Sequence, residues 1–336
     1  MKGGIMPLYL QFPSWISPEI IPGLPFRWYG LMYLVAFGVT YLLFMRQIKQ
    51  QKLDISSDDV LNFFFWGILG LLVGARLFSV IFYDPTGQFA REPWRIIWPF
   101  DNGQFVGLQG MSYHGGFVGL LTGFAIYAKI KKIDLLQWGD MIANGAPLGY
   151  TFGRLGNFIN GELYGRVSPA PWSMVFPSAR PLPTNLDWVQ ETAQQAGMQI
   201  PDSALLINLP RHPSQLYEAF LEGILLWAIL WFLVRPRKTF RGFSIGIYII
   251  GYGLARFIVE YFREPDAGLG FIISLGGQNN PPQLFTSLLD ISMGQILSLV
   301  MALSGVALLV VLKLIHNRRP TVQGFTDHTE SKSNKD

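Results

Sequence analysis

The chain contains no cysteine. That excludes disulfides, thiolate nucleophiles and cysteine-ligated metals. It is also short of charge. Only 14% of its 336 residues are Asp, Glu, Lys or Arg, against about 25% in soluble domains. A water-soluble protein of this size needs a charged shell, and that shell is missing. No H-E-x-x-H and no G-x-S-x-G occurs, so neither a zincin nor a serine hydrolase is indicated. No metal or cofactor is called for. A cleavable signal peptide is not expected either. Residues Met1 to Pro25 are rich in proline and aromatics and lack a charged start followed by an apolar run.

What is present is apolar. Half of the residues are hydrophobic, 15% are aromatic, 36 are glycine, and the mean hydropathy is +0.30. These are membrane-protein traits. Seven segments come near the ~20 apolar residues needed to cross a bilayer. They are Trp28–Met45, Leu61–Phe82, Ser112–Ile130, Gly139–Phe158, Leu216–Val234, Phe243–Phe262 and Gly294–Ile315. The expected fold is an all-α polytopic membrane protein of seven transmembrane helices with a small external head. Residues 1–315 form one membrane-embedded domain, with an external loop at about 160–214. Residues 316–336 form a polar, disordered tail. The fourth segment carries Asp140, Asn144, Pro147, Arg154 and Asn157, so it is expected to be shielded and broken. Gly67–Gly74 and Gly115–Gly123 are glycine-spaced and serve either as close helix contacts or as lipid portals.

Basic clusters follow the first, third, fifth and seventh segments: Arg46, Lys49 and Lys52; Lys129, Lys131 and Lys132; Arg235, Arg237, Lys238 and Arg241; Lys313, Arg318 and Arg319. With seven spans they all fall on one side. That side is the cytoplasm, which puts the N-terminus outside and the C-terminus inside. The same clustering argues against nucleic acid as the partner of this basic chain. The loop at 160–214 is then external, and Thr184 to Gln199 reads as a short amphipathic helix within it.

Charges inside spans mark sites or internal pairs. Arg76, Arg154, Arg256, His114 and Tyr29 all fall in the outer half of the bilayer on this topology. Glu218 and Glu222 lie in the fifth segment. Tyr252, Arg256 and Glu260 are four apart and share a helix face. Arginines gathered at one depth suit an anion, and a guanidinium fork matches phosphate. A lipid headgroup is the phosphate found at that depth. The run Gly153 to Gly165, G-R-L-G-N-F-I-N-G-E-L-Y-G, fits a helix end opening into a tight turn.

That run resembles the signature of the bacterial prolipoprotein diacylglyceryl transferases. So do W-Y-G at Trp28, R-L at Arg76, M-S-Y-H-G-G at Met111, H-P-S-Q-L-Y-E at His212 and Y-G-L-A-R-F-I-V-E-Y-F-R at Tyr252. The blocks stand in family order from about Trp15 to Ile315. The resemblance implies a bacterial inner-membrane enzyme. Its partners are phosphatidylglycerol, a prolipoprotein signal peptide bearing a lipobox cysteine, and surrounding membrane lipids. It implies transfer of a diacylglyceryl group to that cysteine, with glycerol-1-phosphate leaving. Its essential positions match Tyr29, His114, Arg154, Asn157, Glu162, Gly165, Tyr252, Arg256 and Glu260. The expected catalytic residues are His114, Arg154 and Arg256. The substrate-binding ones are Tyr29, Arg76, Asn157, Asn160, Glu162, Gly165, Tyr252 and Glu260. A lipid transporter, a non-catalytic scaffold and transfer of phosphoglycerol from the same lipid are the rival readings.

Overall fold

The computed structural model describes residues 8–24, 26–84, 87–98, 100–101, 103–105, 110–265, 270–275 and 281–318. Most of the expected polar tail lies outside them. In chain order the helices are α1 (Trp28–Gln51), α2 (Ser57–Phe82), the single turn α3 (Gln88–Arg91), α4 (Tyr113–Lys131), α5 (Leu135–Ala143), α6 (Ala146–Ile159), α7 (Asp187–Gln195), α8 (Ser214–Arg237), α9 (Phe243–Val259) and α10 (Met293–Arg318). Four of them, α1, α2, α8 and α10, are long and apolar enough to cross a membrane, and α9 is a shorter apolar helix. Leu297, Val300, Leu303, Val306 and Val310 of α10 are exposed. That surface suits lipid and not water. The chain is a largely α-helical, multi-pass membrane protein.

Local chemistry sets the boundaries. Ser56 accepts from Asp59 N (3.0 Å) and starts α2. Ser112 accepts from Gly115 N (3.2 Å) and starts α4. Lys52 and Lys132, at φ 51° and 55°, end α1 and α4 in the left-handed conformation. The weak fourth segment is indeed two helices. Asn144 and Gly145 separate α5 from α6, and Pro147 sits in the first turn of α6, where its missing N–H costs nothing. Gln47 of α1 holds the break. It donates to Met141 O (2.8 Å) and accepts from Asn144 Nδ2 (2.9 Å).

The glycine-spaced segments pack against each other. A Cβ on Gly70 would lie 2.2 Å from Gly119 O, and one on Gly119 would lie 2.0 Å from Gly70 O. Backbone meets backbone there, so these glycines are contacts between α2 and α4 and not portals. At the Lys52 end, Phe44, Val60, Phe63, Phe64, Tyr127, Trp138 and Met141 close an aromatic core joining α1, α2, α4 and α5. α9 packs along α10, where a Cβ on Gly253 would meet Ser298 O at 2.7 Å.

α8 departs from a plain helix. It is π-helical over Ala219–Leu225 and again over Ile229–Val234. Such windings recur at functional sites. Here they accompany Glu218 and Glu222, both fully buried.

Between α6 and α8 the chain builds a small unit with its own core of Val167, Leu182, Val189, Ala193 and Leu209. α7 supplies Val189 and Ala193, so the amphipathic stretch is helical over Asp187–Gln195. Parallel pairing of Leu10–Gln11 with Met174–Val175 attaches the N-terminal segment. Arg166 and Arg211 are buried inside this unit. Arg166 donates to Arg263 O (2.5 Å) and Leu284 O (3.3 Å), and Arg211 pairs with Glu264 (2.5 Å). Burial pulls the Arg166 guanidinium down to about 10.

Candidate active site

α6, α8 and α9 bring a network of charges together. Glu218 is its centre. Its carboxylate lies 2.7 Å from Arg154 Nε, 3.4 Å from Arg256 Nη1 and 2.6 Å from Arg263 Nη1. Glu260, one helical turn beyond Arg256, holds Arg256 Nη2 at 3.0 Å. Glu222 lies 3.8 Å from Arg256 and accepts a short hydrogen bond from Tyr150 Oη. Tyr150 in turn accepts from Arg154 Nε (2.6 Å), and its ring lies under the same guanidinium at 4.7 Å. Tyr150 therefore links Arg154 to Glu222, and Tyr252 packs edge-on against it at 5.7 Å.

The run after Arg154 braces the network from below. Arg154 Nη1 donates to Asn157 Oδ1 (3.4 Å). Asn157 Nδ2 and Asn160 Nδ2 both donate to Glu162 Oε1, at 3.0 and 3.2 Å. Gly161 and Leu163 have φ of +65° and +56° and make the turn. Gly165 is where two backbones touch. A Cβ there would meet Phe262 O at 2.2 Å, and its N–H donates to His212 O (2.8 Å). Gly294, at the start of α10, lies against the Glu260 carboxylate, 2.4 Å from where a Cβ would stand. That carboxylate faces the N-terminus of α10, whose dipole favours it.

Arg154 and Arg256 remain 19% and 20% exposed by side chain, while Glu218 and Glu222 are at 0%. The arginines face outward and the acids lie behind them. Arg154 Nη2 donates no hydrogen bond among the described residues. Buried oxygens of Glu218, Glu222 and Glu260 also lack a well-aligned donor, although each acid stands within ion-pair range of a guanidinium. Such an arrangement can hold an anion and rearrange as its charge changes.

The other expected residues fall as follows. Tyr29 shares a hydrogen bond with Tyr33 (2.9 Å), and Tyr33 is close enough to Arg154 and Glu162 to feel their charges. His114 is exposed in the first turn of α4, next to Tyr113, which interacts with Tyr248 and Tyr252 of α9. Arg76 has its own set of partners. It donates to Arg95 O (2.6 Å), Ile96 O (2.6 Å) and Gly110 O (3.3 Å) and lies over Phe89. It ties the segment around α3 to α2. Arg154 and Arg256 are not alone at their depth: Glu218, Glu222 and Glu260 balance them together with Arg263. Glu218, Glu222, Tyr150, Tyr33 and Arg263 were not assigned from sequence. The two acids in an otherwise apolar run were the available signal.

Fold and site together define a multi-pass membrane protein with a buried arginine–glutamate centre. The comparisons give the family. The family profile described as prolipoprotein diacylglyceryl transferase matches residues 17–311. A phosphatidylglycerol–prolipoprotein diacylglyceryl transferase of Treponema pallidum is 48% identical over 326 residues, covering 93% of this chain and 97% of that one. The enzyme of the same description from Treponema denticola is 47% identical over 340 residues, covering 96% and 100%. That of Chlorobaculum tepidum is 40% identical, covering 89% and 91%. The chain belongs to the prolipoprotein diacylglyceryl transferase family.

Proposed function

We infer that this protein transfers the sn-1,2-diacylglyceryl group of phosphatidylglycerol to the thiol of the lipobox cysteine of prolipoproteins. The thiol sulfur bonds to the glycerol carbon that carries the phosphate. The bond from that carbon to the phosphate oxygen breaks, and glycerol-1-phosphate leaves. The product is a thioether, and the thiol proton goes to a base. This is the first step of bacterial lipoprotein maturation. Without a cysteine of its own, the enzyme takes its nucleophile from the substrate.

The observation that carries the mechanism is the shared Glu218 between Arg154 and Arg256. The lipid phosphate is a diester of charge −1, and the leaving group becomes a monoester of higher charge. Guanidiniums already engaged by carboxylates bind the diester weakly. They gain most as charge gathers on the leaving oxygen, which is transition-state stabilisation and not ground-state binding. Arg154 and Arg256 are the phosphate ligands. Glu218, Glu222 and Glu260 position them. Asn157 and Asn160, held by Glu162, face the headgroup glycerol, and Tyr29, Tyr252 and the loop closed at Gly165 shape the pocket. His114 is the base for the thiol, whose reference pKa is ~8.5. Arg76 orders the segment around α3 and is a further candidate for contact with substrate.

The topology is seven spans in the bacterial inner membrane, with the N-terminus outside. α4, the broken pair α5–α6 and α9 complete the four long helices. Either half of the broken pair alone rises only about 14 or 21 Å, against a ~30 Å hydrocarbon core. The basic ends of α1, α4, α8 and α10 support this direction. The stretch at about 160–214 then forms an external head, and the C-terminal end of the chain is cytoplasmic.

The test is purified protein with phosphatidylglycerol and a lipobox peptide, with both products weighed. A peptide heavier by one diacylglyceryl group and free glycerol phosphate support the reading. An unmodified peptide, or transfer of phosphoglycerol instead, sinks it.

A further inference from the structure

A cavity of ≈ 220 Å³, walled largely by polar residues, opens at the other end of the bundle, between α1, the α5–α6 break and the end of α8. Gln47 on its wall is 18 residues along α1 from Tyr29, about 27 Å away. Asn144 and Asp140 form the floor and are 2% and 1% exposed. The Asn144 amide donates to Gln47, but its Oδ1 is buried with no hydrogen-bond partner among the described residues. A buried acceptor left this way calls for a donor.

The walls are cationic. Arg235 donates to Gln50 (2.7 Å) and stacks 4.0 Å over Trp231. Arg46 is near enough to repel it. Lys238 sits 2.9 Å from Asp140. Two cations thus line the cavity with one carboxylate, and a third, Arg46, stands near Arg235, around an acceptor that lacks a donor. Solvated lysines at a membrane surface would account for the charge alone. They would not account for the buried, unpartnered Asn144 beneath it.

We propose that this cavity binds a phosphate ester carrying a free hydroxyl, the phosphate between Arg235 and Lys238 and the hydroxyl donating to Asn144 Oδ1. The volume admits a phosphate with a three-carbon polyol but no acyl chains, which would lie outside along α8. The one carboxylate in the cavity, Asp140, is taken by Lys238 and by the N–H groups of Gly242 and Ile245, so it is not a free base for a thiol. Two sources carry this chemistry: the headgroup of a hydroxylated phospholipid in the leaflet opposite the reaction, and soluble glycerol phosphate.

Native mass spectrometry of the purified full chain tests it. The parent should retain one phosphatidylglycerol molecule more than the Arg46→Gln, Arg235→Gln double variant, whose transfer rate should be unchanged because neither residue belongs to the arginine–glutamate centre. Phosphatidylethanol, with the same charge and no free hydroxyl, should fill that additional place at least ~10-fold less well. Loss of the additional lipid on adding glycerol 3-phosphate identifies the soluble ester as a ligand, and its retention identifies the lipid. Equal lipid counts in parent and variant, or equal filling by phosphatidylethanol or phosphatidylcholine, overturn the proposal. An Arg154→Gln variant should lose only the other lipid, so a failure of the catalytic reading shows separately.

Discussion

Replacing Glu218 with glutamine probes the centre most directly. The side chain keeps its size, but three guanidiniums lose the charge that stands 2.6 to 3.4 Å from each of them. Only the Arg263 contact is an aligned hydrogen bond; the other two are ion pairs, with Arg154 Nε donating to Tyr150 Oη. A hydrogen bond to a charged group is worth about 1.5–3 kcal/mol, and the two ion pairs lose their charge along with it. The orientation free energy lost is about 3 kcal/mol, or roughly 100-fold in rate at 1.36 kcal/mol per decade. Ground-state affinity should move the other way. With one carboxylate fewer competing for the arginines, the KM for phosphatidylglycerol should stay level or fall. Initial rates against lipid concentration give kcat and KM separately, and a melting curve confirms that the variant is folded. Glu218→Asp should recover part of kcat. A folded Glu218→Gln enzyme with kcat within threefold of the parent would refute the idea that this carboxylate sets the arginines. So would a KM raised with kcat unchanged.

Other outcomes follow from the same structure. Asp140 accepts from Gly242 N (2.8 Å) and Ile245 N (3.1 Å) at the start of α9 while pairing with Lys238; Asp140→Asn should cost about 1–3 kcal/mol of stability, read as a lower Tm with kcat preserved in the folded fraction. Gly70→Val should prevent close approach of α2 and α4 and abolish folded yield. Gly153→Ala meets nothing within 4 Å, so it should leave the Tm level or raise it, and any loss of its activity would assign that face to substrate. His212 is held neutral by burial and by Arg166, with its imidazole pulled down to about 4. The unfolded chain takes up that proton near 6.5, so the contribution is complete above about pH 6.5 and fades as pH falls toward 4, amounting to about 3 kcal/mol. His212→Asn should flatten the fall in Tm across that window.

The helices were legible in the sequence because apolar runs of ~20 residues have few other uses. The break at Asn144 was legible through its polar and proline content. The network was only half legible. Arg154, Arg256 and Glu260 stand in recognisable blocks, and a four-residue spacing pairs the last two. Which acid faces Arg154 could not be read, because Glu218 is 64 residues away, on a different helix, and only the packing of α6 against α8 brings the two together. Arg76 shows the converse. Its depth matched the other arginines, but its guanidinium is turned to the carbonyls of a segment twenty residues on, and depth alone carries no azimuth. Arg166 and Arg211 lay in a polar loop where arginine is expected to be solvated, and only tertiary packing buries them.

The balance of charge at the centre bears on how substrate arrives. Arg154, Arg256 and Arg263 stand against Glu218, Glu222 and Glu260, with Glu162 one hydrogen bond further off. Seen from a few Debye lengths, such a cluster has almost no field. The headgroup is not drawn in from a distance. It must diffuse within its own leaflet until it touches the guanidiniums, where the local asymmetry between outward arginines and inward acids first becomes felt. Turnover should then track the mole fraction of phosphatidylglycerol in the bilayer and be nearly indifferent to salt in the water.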